Sequence, residues 1–299
     1  MKRQVLVLVA ALCLPLSITP ARATQPGVNG KIAFWVFNAG KTQAVEPDGT
    51  GRILIANDTY VASPAWSPDG SKIAYVASPQ IPGRSLTVAN ADGTNPIEVV
   101  GPADGVGWMV SPSWSADGTK IAVIAHLKGT KGGHVTIVDV ATGEEIQIGL
   151  DTLTTYDGLD WSSTGTIAFL TGDTSDLYTI QPDGTGLNQI KGRYLFSPSW
   201  SPDGTRLAIC HYVGRNRTDV MTMNPDGSSR QWITDTPNRW EWTPAWSPDG
   251  TMIAFSRTQT SDDTAYDDIW IAGTDGSGAH RITDTPHLDE FELDWQPLP

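Results

Sequence analysis

The sequence predicts an all-β fold: a six-bladed β-propeller of four-stranded blades, its ring closed by the two ends of the chain. Three observations predict it. A Trp-centred phrase recurs every 39–49 residues, two further strand phrases recur in step with it, and the terminal repeats are incomplete in complementary ways.

The Trp phrase appears as Trp66-Ser-Pro-Asp-Gly70, Trp114-Ser-Ala-Asp-Gly118, Trp161-Ser-Ser-Thr-Gly165, Trp200-Ser-Pro-Asp-Gly204 and Trp246-Ser-Pro-Asp-Gly250. Trp295 is a sixth repeat Trp without the turn after it. Pro suits the second position of a type I turn, and Gly suits the following positive φ, so each phrase reads as a strand entering a tight hairpin. The Trp161 phrase is one residue shorter before its next strand, which predicts a different turn there. An Ile-Ala phrase follows at Ile73, Ile121, Ile167, Leu207 and Ile253, and stands first in the chain at Ile32. An apolar strand then runs to a turn glycine at Gly49, Gly93, Gly143, Gly184, Gly227 and Gly276.

The ends decide between a linear stack and a ring. The first Ile-Ala strand has no Trp strand before it, and the Trp295 strand has no Ile-Ala strand after it. Together they make one repeat, as a closed ring requires to remove its open edges. Trp66, Trp114, Trp161, Trp200, Trp246 and Trp295 are therefore expected to be structural, packed between blades.

Composition agrees. Gly 30 and Pro 21 in 299 residues, with no long amphipathic pattern between them, argue against a helical fold. The net charge is −13. Such a charge disfavours nucleic acid and anionic membranes and suits cationic partners. Residues 1–23 hold a positive start, the apolar run Val5–Leu14 and an Ala21-Arg-Ala23 end, which reads as a signal peptide. The run is too short to span a bilayer. Residues 24–299 are expected to form one propeller domain, exported to the periplasm or secreted, monomeric and without a membrane span. Cys210 is then the last cysteine, and reads as a buried thiol.

The Pro-x-Trp-Ser-Pro-Asp-Gly-x-x-Ile-Ala phrases at 64–74, 198–208 and 244–254 resemble the TolB-type propeller repeat, a relative of WD repeats. The Thr-Asp-Thr-Pro phrases at 234–237 and 283–286 fit the same pattern. The resemblance covers about residues 28–299. It implies a role in an envelope translocation system, with a peptidoglycan-associated lipoprotein as partner. TolB proper carries an additional α/β domain before its propeller, and the span after residue 23 leaves no room for one.

No nucleophile elbow, zinc-protease helix motif, P-loop or C-x-x-C pair occurs. No catalytic residue, metal ligand or cofactor is assigned, although a channel-bound Ca²⁺ or other divalent ion stays open. Asp262-Asp263 and Asp267-Asp268 read as a solvated hairpin loop rather than a Ca²⁺ site. The residues leading into the Trp strands are the candidate binding rim at the channel mouth: Tyr60, Trp108, Asp157, Tyr194, Phe196, Arg239, Trp240, Trp242 and Phe291, with Glu241 and Glu290 interspersed. Aromatic and Arg side chains dominate binding energies. The expected function is therefore non-catalytic protein binding, an interaction scaffold in the cell envelope. Carbohydrate binding or polysaccharide lysis at the same face is the alternative.

Overall fold

Each Trp phrase builds a strand at one end of a sheet, and each Ile-Ala phrase builds the strand beside it. The computed structural model describes residues 27–57, 61–77, 85–101, 106–127, 129, 132–149, 155–171, 176–190, 194–214, 217–258 and 266–299, with the side chains of 106–108, 127 and 155–157 outside that description. The predicted signal peptide and Tyr60 lie outside it as well.

Blade 1 joins β1 (Val28–Val36), β2 (Lys41–Val45) and β3 (Ile53–Asn57) to the last strand, β24 (Glu290–Leu298), in the order β24-β1-β2-β3. Blade 2 is β4 (Val61–Trp66), β5 (Lys72–Ala77), β6 (Ser85–Asn90) and β7 (Ile97–Val100). Blade 3 is β8 (Val106–Trp114), β9 (Lys120–Leu127), β10 (Gly133–Asp139) and β11 (Glu145–Ile148). Blade 4 is β12 (Thr155–Trp161), β13 (Ile167–Thr171), β14 (Asp176–Ile180) and β15 (Asn188–Ile190). One bridge, Gly133 to Thr155, links it to blade 3. Blade 5 is β16 (Leu195–Trp200), β17 (Leu207–Tyr212), β18 (Thr218–Met223) and β19 (Gln231–Trp232). Blade 6 is β20 (Glu241–Trp246), β21 (Met252–Thr258), β22 (Asp267–Gly273) and β23 (His280–Arg281).

The Trp strands form the inner ring: β4, β8, β12, β16, β20 and β24 each touch the next, and β24 touches β4. Closure is the expected one. Trp295 pairs with Ile32 and Glu290 with Val36, and the Trp295 indole N–H donates to the Gly30 carbonyl at 3.0 Å.

The core lies between blades. Trp66 packs with Ala33, Ala44 and Ile55 of blade 1 as well as Ile73 and Tyr75 of its own blade. Trp246 packs with Ala208, Cys210 and Val220 of blade 5. All six repeat Trp side chains are buried. Cys210 is buried among them, and burial pushes its thiol well above the ordinary value.

The hairpins follow from the turn residues. In blade 2, the Ser67 N–H donates to Lys72 O and the Gly70 N–H to Ser67 O, with Gly70 at φ +66°. The Asp69 carboxylate accepts from the Ser67 hydroxyl at 2.6 Å and the Ser71 N–H at 3.0 Å. In blade 4, Ser162 N–H reaches Thr166 O, one residue sooner, as the shorter phrase predicts. His126 and His211 lie within β9 and β17.

Candidate functional site at the channel mouth

Every inner strand carries a bulge just before its repeat Trp. Six residues there adopt positive φ: Ser63, Ser111, Gly158, Ser197, Thr243 and Glu292. Five of them are not glycine, and the surrounding ladder holds each in the left-handed region. The next residue is Pro64, Pro112, Leu159, Pro198, Pro244 or Leu293. Pro donates no hydrogen bond, so a bulge is where a strand tolerates it.

These six Pro and Leu side chains line both a cavity of about 450 Å³ at the mouth and one of about 110 Å³ inside the channel. They form the partition between the two. Above it, the mouth is walled by Trp35, Phe37, Trp242, Phe291 and Glu292. Glu292 is pinned: its carboxylate accepts from the Ser63 N–H at 2.6 Å and the Ser63 hydroxyl at 3.1 Å.

Blades 5 and 6 carry a continuous aromatic array beside this mouth. Tyr194 meets Tyr212 edge-on at 5.9 Å, and Tyr212 stacks on Trp240 at 5.9 Å. Trp240 and Trp242 are parallel, 5.3 Å apart at 1°. Phe196 meets the Trp242 ring at 6.3 Å. Tyr194 is 53% exposed, and Trp240 and Trp242 are half-buried, so the array is reachable from solvent. Such stacked pairs hold one another in place without losing their outer faces.

The predicted rim thus divides. Tyr194, Phe196, Trp240 and Trp242 come together, while Trp242 and Phe291 also line the mouth cavity. Arg239 is tied down, its guanidinium donating to Thr258 O at 2.8 Å. Trp108 and Asp157 belong to β8 and β12, with their side chains outside the described set.

Two acids expected on the rim are not there. Glu241 and Glu290 are fully buried. Glu241 accepts from Thr234, from the Thr236 hydroxyl at 2.7 Å and from Arg257 at 2.8 Å. Glu290 accepts from Thr283, from the Thr285 hydroxyl at 2.8 Å and from Arg52 at 3.1 Å. The Thr-Asp-Thr-Pro phrases exist to satisfy these two carboxylates. Burial raises both acids, against the opposing pull of Arg257 on Glu241 and of Thr283 and Arg52 on Glu290.

Sequence reading missed Trp35 and Phe37. Trp35 was legible by register, since it pairs with Phe291 across the closure. It also missed Asp160 and Asp294, which line the inner cavity with Ser113 and Ser199. Each stands directly before a repeat Trp, a position that varies as Ala, Ser or Asp around the ring. Burial pushes Asp160 up to about 6 against hydrogen bonds from Trp200, Ser113 and Trp161. Burial pushes Asp294 up to about 7, with the Asp160 charge adding to it.

Three of the solved structures that share the fold are two TolB proteins, one of them putative, and a lyase. TolB from Acinetobacter baumannii superposes with a TM-score of 0.73 at 19% identity, covering 90% of this chain and 67% of that one. A putative TolB from Agrobacterium tumefaciens gives 0.63 at 18% identity, covering 91% and 100%. An oligogalacturonate lyase in complex with manganese gives 0.55 at 15% identity, covering 88% and 75%. At these identities the likeness is one of fold. No curated protein matches the sequence. No helix among the described residues is long and apolar enough to cross a membrane. The family model for the TolB beta propeller domain matches residues 27–286, and with six closed blades in place the chain belongs to that family.

Proposed function

We propose that this chain is an exported, non-catalytic binding propeller that takes a segment of another envelope or secreted protein at the channel mouth. The aromatic array Tyr194–Tyr212–Trp240–Trp242 carries the reading. It is built from residues outside the repeat pattern, and it lies beside a cavity walled by further aromatics. Rigid aromatic anchors in a concave site are the usual source of binding energy at interfaces. The Pro and Leu partition supports docking onto the mouth rather than passage through the channel.

Affinity capture from an envelope extract tests this, with the chain from residue 24 as bait and Trp240→Ala/Trp242→Ala as control. A protein retained by the wild type and reduced about tenfold or more by the control is expected, a loss of about 1.4 kcal/mol or more. The same proteins on both baits would overturn the reading. A glycan lost from the control instead would assign the face to carbohydrate, for which the outer face of the stacked Trp pair offers a ring surface.

A further inference from the structure

Asp267 and Asp268 are not a solvated loop: they open β22, and both are buried. They differ in how they are satisfied. Asp268 is held by Arg281 at 3.2 Å and by the Thr285 N–H at 3.2 Å. Asp267 is 6% exposed, and its Oδ1 has no hydrogen-bond partner. A buried ionised oxygen in that state is strongly unfavourable unless a proton or a cation meets it.

A second carboxylate lies close by, near enough for its charge to act on Asp267. Asp289 accepts the backbone N–H of Asp267 itself, so the two acids lie within one residue's reach. Asp289 is half-buried and opens the pair to solvent. Its backbone is fixed, its carbonyl accepting from the Phe37 N–H at 2.9 Å. Thr258 lies opposite Asp267 in the ladder, with its hydroxyl near the Asp267 carboxylate. That hydroxyl donates to Trp240 O at 3.2 Å, which leaves its lone pairs available. The nearby Arg239 guanidinium donates to Thr258 O, and the Tyr266 and His287 rings stack edge-on at 5.2 Å. Among the described residues, no ion pair reaches Asp267 or Asp289.

We propose that Asp267 and Asp289 form a site for a hard divalent cation of the Ca²⁺ type, where blade 6 hands over to blade 1. The available donors are all oxygen: two carboxylates and the Thr258 hydroxyl, with water completing the shell. That donor set selects Ca²⁺ or Mg²⁺ over softer metals, and an open site with few fixed ligands suits the irregular shell of Ca²⁺. Among the described residues no third acid or His joins them, so the site is a weak one, with Kd about 10⁻⁴–10⁻³ M. Asp289 adjoins Phe37 of the mouth wall, apart from Asp160 and Asp294 of the inner cavity.

Calorimetric titration and thermal unfolding with CaCl₂ after chelator treatment test the site, using the chain from residue 24. The expected result is saturable Ca²⁺ binding with a raised Tm. Asp267→Asn and Asp289→Asn should each weaken it about tenfold or more, while Asp160→Asn/Asp294→Asn retains it. Should Asp267→Asn fail to fold, the half-buried Asp289→Asn carries the comparison. No saturable response in the wild type would overturn the proposal and leave a proton as the partner of Asp267. A response lost only from the channel variant would overturn it too, as would one matched by NaCl at equal ionic strength.

Discussion

Asp160 reaches across a blade boundary to Trp200, its Oδ2 accepting the Trp200 backbone N–H at 2.6 Å. Its Oδ1 accepts from the Ser113 hydroxyl at 2.8 Å and from its own neighbour Trp161 N–H at 2.9 Å. One side chain thereby joins blades 3, 4 and 5. Asp294 repeats the arrangement on the opposite side of the ring, accepting from Trp66 N–H at 2.5 Å and Trp295 N–H at 2.9 Å. Ser199 makes a longer version to Trp246 N–H at 3.4 Å. Where the residue before the Trp is Ser or Asp, as at Ser113, Asp160, Ser199 and Asp294, it staples neighbouring inner strands.

These staples give stability a defined pH dependence. The folded values of about 6 for Asp160 and about 7 for Asp294 lie above the unfolded carboxylate value of roughly 3.9. Between about pH 4 and 7 these two groups hold more protons in the folded chain than in the unfolded one, so their contribution to stability falls as pH rises through that window. The turn acids Asp69, Asp117, Asp203 and Asp249 act oppositely. Burial tends to raise each, yet hydrogen bonds from Ser and Thr neighbours win and leave them lowered. Their contribution is lost as pH drops through their folded values, below about 4. Tm should peak near pH 4–5. In Asp160→Asn/Asp294→Asn its decline toward neutral pH should flatten, whatever the variant's absolute stability, and an unchanged slope would refute the assignment.

The repeat Trp residues should not be equivalent. Trp246→Ala should cost about 3–5 kcal/mol by denaturant unfolding, since it empties the space between blades 5 and 6. Trp246→Phe should cost less, because the Trp246 indole N–H has no partner to lose. Trp295→Phe should cost about 1–2 kcal/mol more than Trp246→Phe, because it abandons the buried bond to Gly30 O that helps close the ring. Equal losses for the two Phe variants would contradict this.

Glu241→Ala should destabilise by about 3–5 kcal/mol, leaving Arg257 buried without its carboxylate. Arg257 would keep its position over the Trp270 ring, 4.4 Å from the centroid, but not its charge partner. Chemical denaturation reads this directly. A Glu241 variant with normal stability and impaired partner capture would return this residue to the rim.

Much of this architecture is legible in the linear sequence because it repeats. Ser67-Pro68-Asp69-Gly70 encodes its turn through local φ preferences and short-range hydrogen bonds, and these need no distant partner. The shorter turn after Trp161 is equally local. Glu241 was misplaced for the opposite reason. Its neighbours Arg239, Trp240 and Trp242 are accessible, and only the arrival of Arg257 and the Thr234–Thr236 loop makes a buried acid tenable.

By itself the sequence determined the class, the blade number and the closure between the chain ends, since spacing and turn chemistry repeat with each blade. The tertiary structure alone decided which lead-in residues meet. Closure places Trp35 opposite Phe291, and the stacking of blades 5 and 6 brings Tyr212 onto Trp240. It also decided the state of the acids, from the pinned turn aspartates to the unpartnered oxygen of Asp267. The physical reason is range: backbone preferences act over a few residues, whereas desolvation and charge pairing depend on whatever the closed ring brings alongside.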